Sequence, residues 1–214
     1  MSARGRTSLV ERAAALGVTD QRVLDAMAQV PRVAFVPPSA RLVANRDAPI
    51  PIGHGQTTSQ PTLIAHIVAS LELAPNDRVL EVGTGLGYQT ALLALVAEQV
   101  YSIDRFADLV ETARGNLASR GIHNVVLTAG DGTLGWPEYA PFDAIVVSAA
   151  FATVPPPLVE QLAEGGRLIQ PLGEQHGDDL VRFVKRGGKL VVDRHLGAAR
   201  FVPLRGDHGL ADDR

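Results

Sequence analysis

The residues best placed to do chemistry lie in one short stretch, Glu81-Val82-Gly83-Thr84-Gly85-Leu86-Gly87-Tyr88, with Asp104, Asp131 and Gly132 further along. Glycines between a strand and a helix let the backbone turn sharply and approach a ligand with no Cβ in the way. The spacing is G-x-G-x-G, whereas the dinucleotide fingerprint needs its third glycine where Tyr88 stands. A nicotinamide cofactor is therefore disfavoured. Asp104 closes the next strand, 21 residues after Gly83, where a carboxylate at the sheet edge can accept both ribose hydroxyl protons. Asp131-Gly132 ends the strand after that and sets a second carboxylate and a pliable backbone where an adenine ring would rest. Each feature also has a plainer reading as a ligand-free turn, a solvated strand end or an Asp-Gly turn. Their alignment at the ends of three consecutive strands favours a nucleoside without a pyrophosphate, because ligands of open α/β sheets bind there.

The elements that must position these residues are legible as short β-branched runs: Arg78 to Val82, Gln99 to Ile103, Asn124 to Thr128 and Phe142 to Val147. Helical stretches at Tyr88 to Ala97 and Ala107 to Arg120 separate them, which predicts a mostly parallel, doubly wound α/β sheet covered on both faces. A short helix over Leu158 to Ala163 leads to a strand at Arg167 to Pro171. Two alternating runs, Asp179 to Lys185 and Lys189 to His195, then flank Arg186-Gly187-Gly188 and predict a terminal antiparallel hairpin. Ahead of the sheet, Leu9, Val10, Ala13, Ala14 and Leu16 are spaced as a helix, and Thr19-Asp20 starts a second one through Met27. From Pro37 to Pro61 the density of Pro and Gly predicts an ordered loop or a short edge strand, and loops of that length are more often functional than idle. The division expected is an N-terminal helical extension with its loop over 1–61 and the sheet core over 62–214, within one compact domain. The polar end, Asp207 to Arg214, is expected to fray at its tip.

Composition narrows the chemistry. Of 214 residues, 46% are hydrophobic and 20% charged, enough apolar content for a packed core and against overall disorder. There are no cysteines, which removes disulfide scaffolds, thiolate metal sites and cysteine nucleophiles together. No metal-ligand spacing, clustered His or nucleophile elbow stands out, so no metal site is expected. The net charge of -3, with no Lys/Arg stripe, makes nucleic acid a poor partner. The longest purely apolar run, Ala91 to Ala97, is far below the roughly 20 residues of a membrane span, and no signal-peptide stretch opens the chain. A soluble cytoplasmic protein with no membrane partner is expected.

VLEVGTGLGY, the acid at Asp104 and the hairpin-ended sheet resemble class I S-adenosylmethionine-dependent methyltransferases. More narrowly, the chain resembles the protein-L-isoaspartate O-methyltransferase family from about Met27 to Leu204. The segments that carry this are Asp47 to Pro61 (DAPIPIGHGQTTSQP), the Gly loop, Asp131 to Pro137, Pro141 to Ala150, Gln161 to Pro171 and Phe201 to Leu204. The Gly loop specifies only the cofactor, and the G-x-G-Q-T-x-S-Q-P element is the family-specific one. Departures from the family pattern fall at Asn45, His54 and Thr58, which border the region the family uses for peptide substrate, and at Ser148.

The resemblance implies S-adenosyl-L-methionine as cofactor, S-adenosyl-L-homocysteine as product, and damaged proteins or peptides bearing L-isoaspartate as substrate. It implies cofactor contacts from Thr57, Thr58, Gly83, Thr84, Gly85, Leu86, Gly87, Asp104, Asp131 and Gly132. Methyl transfer goes to the free α-carboxylate, an anion at neutral pH because such carboxyls titrate near about 3.3 to 3.9, so no strong general base is required. In the family the ester then collapses to a succinimide without help from the protein. Ser59 is the residue expected beside the reacting carboxylate, as a hydroxyl can donate to an oxygen without competing as a base. On residue type alone Ser59, just ahead of Gln60-Pro61-Thr62 and an apolar run, reads instead as a helix N-cap, and both roles fit one hydroxyl. The alternative activity is methyl transfer to a small-molecule carboxylate through an altered acceptor loop.

Overall fold

The computed structural model describes residues 3–173 and 177–211, with side chains from Leu9 onward. The expected fraying falls on 212–214, outside the described residues, whereas Gly206 and Leu210 are joined by a backbone hydrogen bond of 3.2 Å.

Two helices open the chain, α1 (Ala3–Ala15) and α2 (Gln21–Gln29), the second capped by the Asp20 carboxylate, which accepts from the Arg22 amide. The Pro-rich stretch forms a six-residue 3-10 helix (Pro38–Val43) and then a two-stranded antiparallel ribbon, β1 (Ile50–Gly53) and β2 (Gln56–Thr58). Helix α3 (Pro61–Ser70) follows directly. The main sheet is built from β3 (Arg78–Val82), β4 (Gln99–Asp104), β5 (Val125–Ala129), β6 (Phe142–Val147), β7 (Leu162–Leu172), β8 (Asp178–Arg186) and β9 (Lys189–Ala199), in the order β5-β4-β3-β6-β7-β8-β9. Strands β5 through β7 in that order run parallel, and β8 and β9 return antiparallel around the Gly187-Gly188 turn. The architecture is the mostly parallel α/β sheet with a terminal hairpin that the residue pattern predicts.

Side chains alternate across each strand, and β3 shows what that does. Val79 belongs to the apolar layer formed with α1 to α4, and Leu80 and Val82 to the layer on the other face with Ile145, Leu158 and Leu168. Glu81 therefore points to the same face as Val79 and reaches α4 (Tyr88–Ala94). The N-terminal helices share that layer: Leu9, Val23, Met27 and Phe35 pack in one cluster with Ile64, Ile67 and Val68 of α3.

Element ends shift by a few residues from their expected positions, each for a local reason. Helix α4 stops at Ala94 because Leu95 and Val96 close 3-10-type bonds to Leu92 and Leu93. Helix α5 (Ala107–Ala118) runs into Gly121, whose φ of +69° no helix continues. Helix α6 (Pro156–Gln161) ends early because Leu162 already pairs with Phe142 as strand. The order of strands reverses at β3, where the chain leaves toward β4 and β5 and later returns to β6, so a crevice opens at the carboxyl ends of β3 and β6. Among the described residues no helix is long and apolar enough to cross a membrane.

Candidate active site

A cavity of about 860 Å³, counting its open mouth, lies in that crevice. Its floor is the turn from β3 to α4, where two glycines are needed for different reasons. Gly83 has φ +103° and passes so close to β6 that a Cβ would sit 3.1 Å from Ser148 Cβ; Gly85 has φ +54° and faces Ile52 of the ribbon at the same distance. Side chains at either would strain the backbone and close the gap. Beneath the loop, Glu81 is fully buried and accepts hydrogen bonds from Thr90 Oγ1 (2.5 Å), Ser102 Oγ (2.7 Å) and Gln89 Nε2 (3.0 Å). Ser102 is 2.6 Å from Thr84 Oγ1, and Gln89 Nε2 also donates to Ser148 Oγ at 3.0 Å. Burial pushes the Glu81 carboxyl up to about 7, against the pull of its three donors. Glu81 and Gln89 together thus tie β3, β4, α4 and the β6 end into a single frame under the pocket.

Asp104 closes β4 on the cavity wall and accepts from the Gly85 amide (2.8 Å) and the Phe106 amide (3.0 Å). Burial raises its pKa, and the two amides oppose that rise. A carboxylate has about four acceptor sites, so after these two bonds it retains capacity for ligand hydroxyls. Thr57, Thr58, Ser59, Gly83, Thr84, Gly85, Leu86, Asp104 and Gly132 line one cavity, as the site residues expected from sequence.

Two expected residues do not face it. Gly87 turns toward α5, where a Cβ would meet Ala113 at 3.3 Å. The Asp131 carboxylate accepts from Thr133 N (2.8 Å) and Thr133 Oγ1 (2.7 Å) within its own turn and from Asp207 N (2.7 Å) near the chain's end, and it does not line the cavity. Partial burial pushes its pKa up, but those hydrogen bonds prevail and hold it below the ordinary carboxylate value. The Asp207 it holds lies just past residues Val202 to Arg205, which form part of the cavity wall and are held by Ala150 N donating to Val202 O and Leu204 N to Ala150 O.

The cap reading of Ser59 is corrected. Helix α3 has Gln60 at its N-cap with no side-chain bond, and its first free amide, Thr62 N, donates instead to Asp47 Oδ1 at 3.1 Å. Thr62 Oγ1 also bonds both Asp47 oxygens. The Ser59 hydroxyl makes no cap and borders the cavity. The ribbon is held to the opposite rim by His54, which stacks on Phe106 (centroids 4.2 Å, 10° between planes) and lies 2.8 Å from Asp108.

Sequence reasoning assigned no role to Glu81, which it placed only within the glycine stretch, nor to Gln89, and it did not place Val202 to Arg205 on the cavity wall. The available signal for Glu81 was an acid inside an apolar strand, RVLEV, at a position that must be buried.

A strand-reversal crevice, a glycine turn and an acid ending the second strand define a class I methyltransferase architecture. The sequence profile described as protein-L-isoaspartate(D-aspartate) O-methyltransferase matches residues 4–209, and the chain belongs to that family. A protein-L-isoaspartate O-methyltransferase of Methanoculleus marisnigri is 49% identical over 207 residues, covering 96% of this chain and 94% of the relative. One from Methylorubrum extorquens is 49% identical, with 98% and 92% covered. Among solved structures, a protein-L-isoaspartate O-methyltransferase superposes with a TM-score of 0.84 at 30% identity, over 95% of this chain and 67% of the other. A Plasmodium falciparum chain assigned to the same activity, in complex with S-adenosyl-L-homocysteine, gives 0.78 at 29% identity over 92% and 97%.

Proposed function

We propose that this protein uses S-adenosyl-L-methionine to esterify the free α-carboxylate of L-isoaspartyl residues in damaged proteins and peptides, initiating their repair. The observation that carries the reading is a single cavity with Asp104 and the Gly83–Gly85 turn on one side and Thr57, Thr58 and Ser59 on the other. The cofactor fits the residues present: the volume is within the roughly 300 to 1,000 Å³ of small-molecule sites, and Asp104 keeps free acceptor capacity. When bound, the cofactor supplies an electrophilic methyl group on a sulfonium.

The chain's part is to bind, orient and exclude water. Asp104 receives ribose hydroxyls, the amides and side chains of Gly83 to Leu86 flank the rest, and Gly132 offers backbone without a side chain. Ile52, Ile64, Val82, Leu86, Ile103 and Leu204 line the same cavity and give it apolar surface between its polar groups. An anionic nucleophile meeting a cationic centre loses both charges, so a preorganised apolar enclosure and in-line alignment favour the transition state. The Ser59 hydroxyl donates to a carboxylate oxygen and holds it there. Asp131 acts on the site indirectly, by holding Asp207 just past the wall that Ala150 fixes at Val202 and Leu204. The cell compartment proposed is the cytoplasm, and the net charge of -3 disfavours nucleic acid as a partner.

The deciding assay is methyl transfer to paired isoaspartyl and aspartyl peptides. Turnover of the isoaspartyl peptide alone is expected; equal turnover of both, or preference for a small carboxylate, would sink the reading. A thermal shift with S-adenosyl-L-homocysteine but not with nicotinamide cofactors is the companion result, since a ligand of the folded state stabilises it.

A further inference from the structure

Arg32 is 1% exposed, yet no carboxylate is among its hydrogen-bond partners. Its two terminal nitrogens instead take four backbone carbonyls: Nη1 donates to Ala44 O (3.1 Å) and Arg46 O (2.9 Å), and Nη2 to Ala48 O (2.9 Å) and Ser59 O (3.0 Å). The fifth donor, Nε, has no hydrogen-bond partner among the described residues. Burying a cation without a counter-ion is costly, and a structure that tolerates an orphan donor beside it gains something that a neutral side chain would not give. Here the fork joins segment 44–48, which leads into β1, to Ser59, which follows β2, on the open side of the last ribbon pair, Ile50 with Thr58, where the ladder has ended. Asp47, inside that segment, grips Thr62 just past Ser59. Burial lowers the Arg32 pKa to about 10, with Tyr88 and Asp47 acting the other way. Tyr88 lines the cavity, so the cation stands directly behind the wall that Ser59 and Tyr88 share.

The geometry points to Arg32 as a positioning residue that sets the acceptor wall, fixing the 44–48 segment and the backbone of Ser59 so that the incoming isoaspartyl chain meets a preformed edge. This rests on the activity proposed above, but on the braced backbone rather than on the Ser59 hydroxyl. A guanidinium reaches four carbonyls because its donors are spread in a rigid plane, whereas an ammonium is a point charge on a flexible stem. Arg32→Lys therefore keeps the charge and removes the brace.

The test is steady-state kinetics of Arg32→Lys with an isoaspartyl peptide that the wild type is first shown to turn over, beside the dissociation constant of S-adenosyl-L-homocysteine. The expected result is a fall in kcat/KM for the peptide of tenfold or more, with the S-adenosyl-L-homocysteine affinity within threefold. A merely structural arginine would instead reduce the folded yield and leave wild-type kinetics in what remains, and that outcome, or equal losses for peptide and cofactor product, overturns the assignment. If Arg32→Lys does not fold, amide exchange on the wild type decides. Isoaspartyl peptide added to the S-adenosyl-L-homocysteine complex must slow exchange across 44–59 at least tenfold, and no protection there rejects the wall. Ser59→Ala is read separately: normal kinetics in that variant beside an impaired Arg32→Lys retires the hydroxyl and keeps the brace.

Discussion

The two sides of the cavity are built by different means. The cofactor side stands on strand ends and a helix start, with Glu81 joining β3, β4 and α4 through three hydrogen bonds, Gln89 extending that frame to Ser148, and Asp104 fixing the glycine turn. The acceptor side is a short two-stranded ribbon and the loop leading into it, held by long-range side-chain contacts: Arg32 to four carbonyls, Asp47 to Thr62, His54 to Phe106 and Asp108 on the far rim. Regular elements position a group through packing that many residues share. The ribbon and its loop depend on a few long-range contacts, and each such contact is a place where substrate choice can change without disturbing the cofactor. Of the four departures, Asn45, His54 and Thr58 fall on the acceptor side, while Ser148 falls on the cofactor side, where it accepts from Gln89 beneath the glycine turn.

The strongest attack on this contrast is at Glu81. Its folded pKa, about 7, lies above the ordinary 4.5, so the folded state binds the proton more tightly than the unfolded state does. Stability from this group is complete below pH 4.5 and is lost as pH rises through 7, by about 3 kcal/mol in total. Glu81→Gln cannot ionise and lacks that slope. Urea unfolding of both proteins at pH 5 and pH 8 measures it: the wild type should lose stability relative to the variant on going up. Parallel behaviour would mean that the carboxyl is ionised throughout and that the frame under the pocket is wetter than its burial implies.

Asp104→Ala comes next. A hydrogen bond to a charged group contributes about 1.5 to 3 kcal/mol, so the S-adenosyl-L-homocysteine dissociation constant should rise roughly 10- to 100-fold. The variant also releases the Gly85 and Phe106 amides, so a drop in melting temperature accompanies the loss. Isothermal titration at fixed pH gives the affinity; an unchanged constant in a folded variant leaves Asp104 as a brace for the turn and nothing more.

The asymmetry also explains what the sequence could and could not reveal. Apolar runs such as RVLEV and FDAIVV announce buried parallel strands, and a glycine turn after the first of them locates the crevice, because these signals are local. The hairpin at Gly187-Gly188 is local too. Asp131 looked like a ligand group because it ends a strand on the correct edge; two of its donors, the Thr133 amide and hydroxyl, form the local turn that Asp-Gly also announced, and only the third, an amide 76 residues away, is one no spacing rule reports. Arg32 sits in an unremarkable helical-looking stretch, and its carbonyl partners lie 12 to 27 residues downstream. Ser59 read as a cap because Ser before Pro is the usual arrangement. Only the fold brings Asp47 close enough to take that role.

The smallest effects test that last exchange of roles, and they need Ser59→Ala and Asp47→Ala side by side. Asp47 satisfies the Thr62 amide, the second residue of α3, as an N-cap side chain would, so its removal should cost about 1 kcal/mol, within the 0.5 to 2 typical of caps. For a chain of this size that is a fall of roughly 2 to 4 °C in Tm. Ser59→Ala removes no cap bond and should leave Tm almost unchanged. Its effect belongs in turnover: kcat/KM on an isoaspartyl peptide falls about tenfold, or about 1.4 kcal/mol of transition-state stabilisation. Asp47→Ala shifts the same wall only through Thr62, so its kinetic loss should be smaller than that of Ser59→Ala. Thermal melts and initial rates on the two variants settle the matter together, because each protein serves as the control for the other. A destabilised but fully active Ser59→Ala, beside an Asp47→Ala with wild-type melting, would return the cap to Ser59 and take from it any part in holding the acceptor.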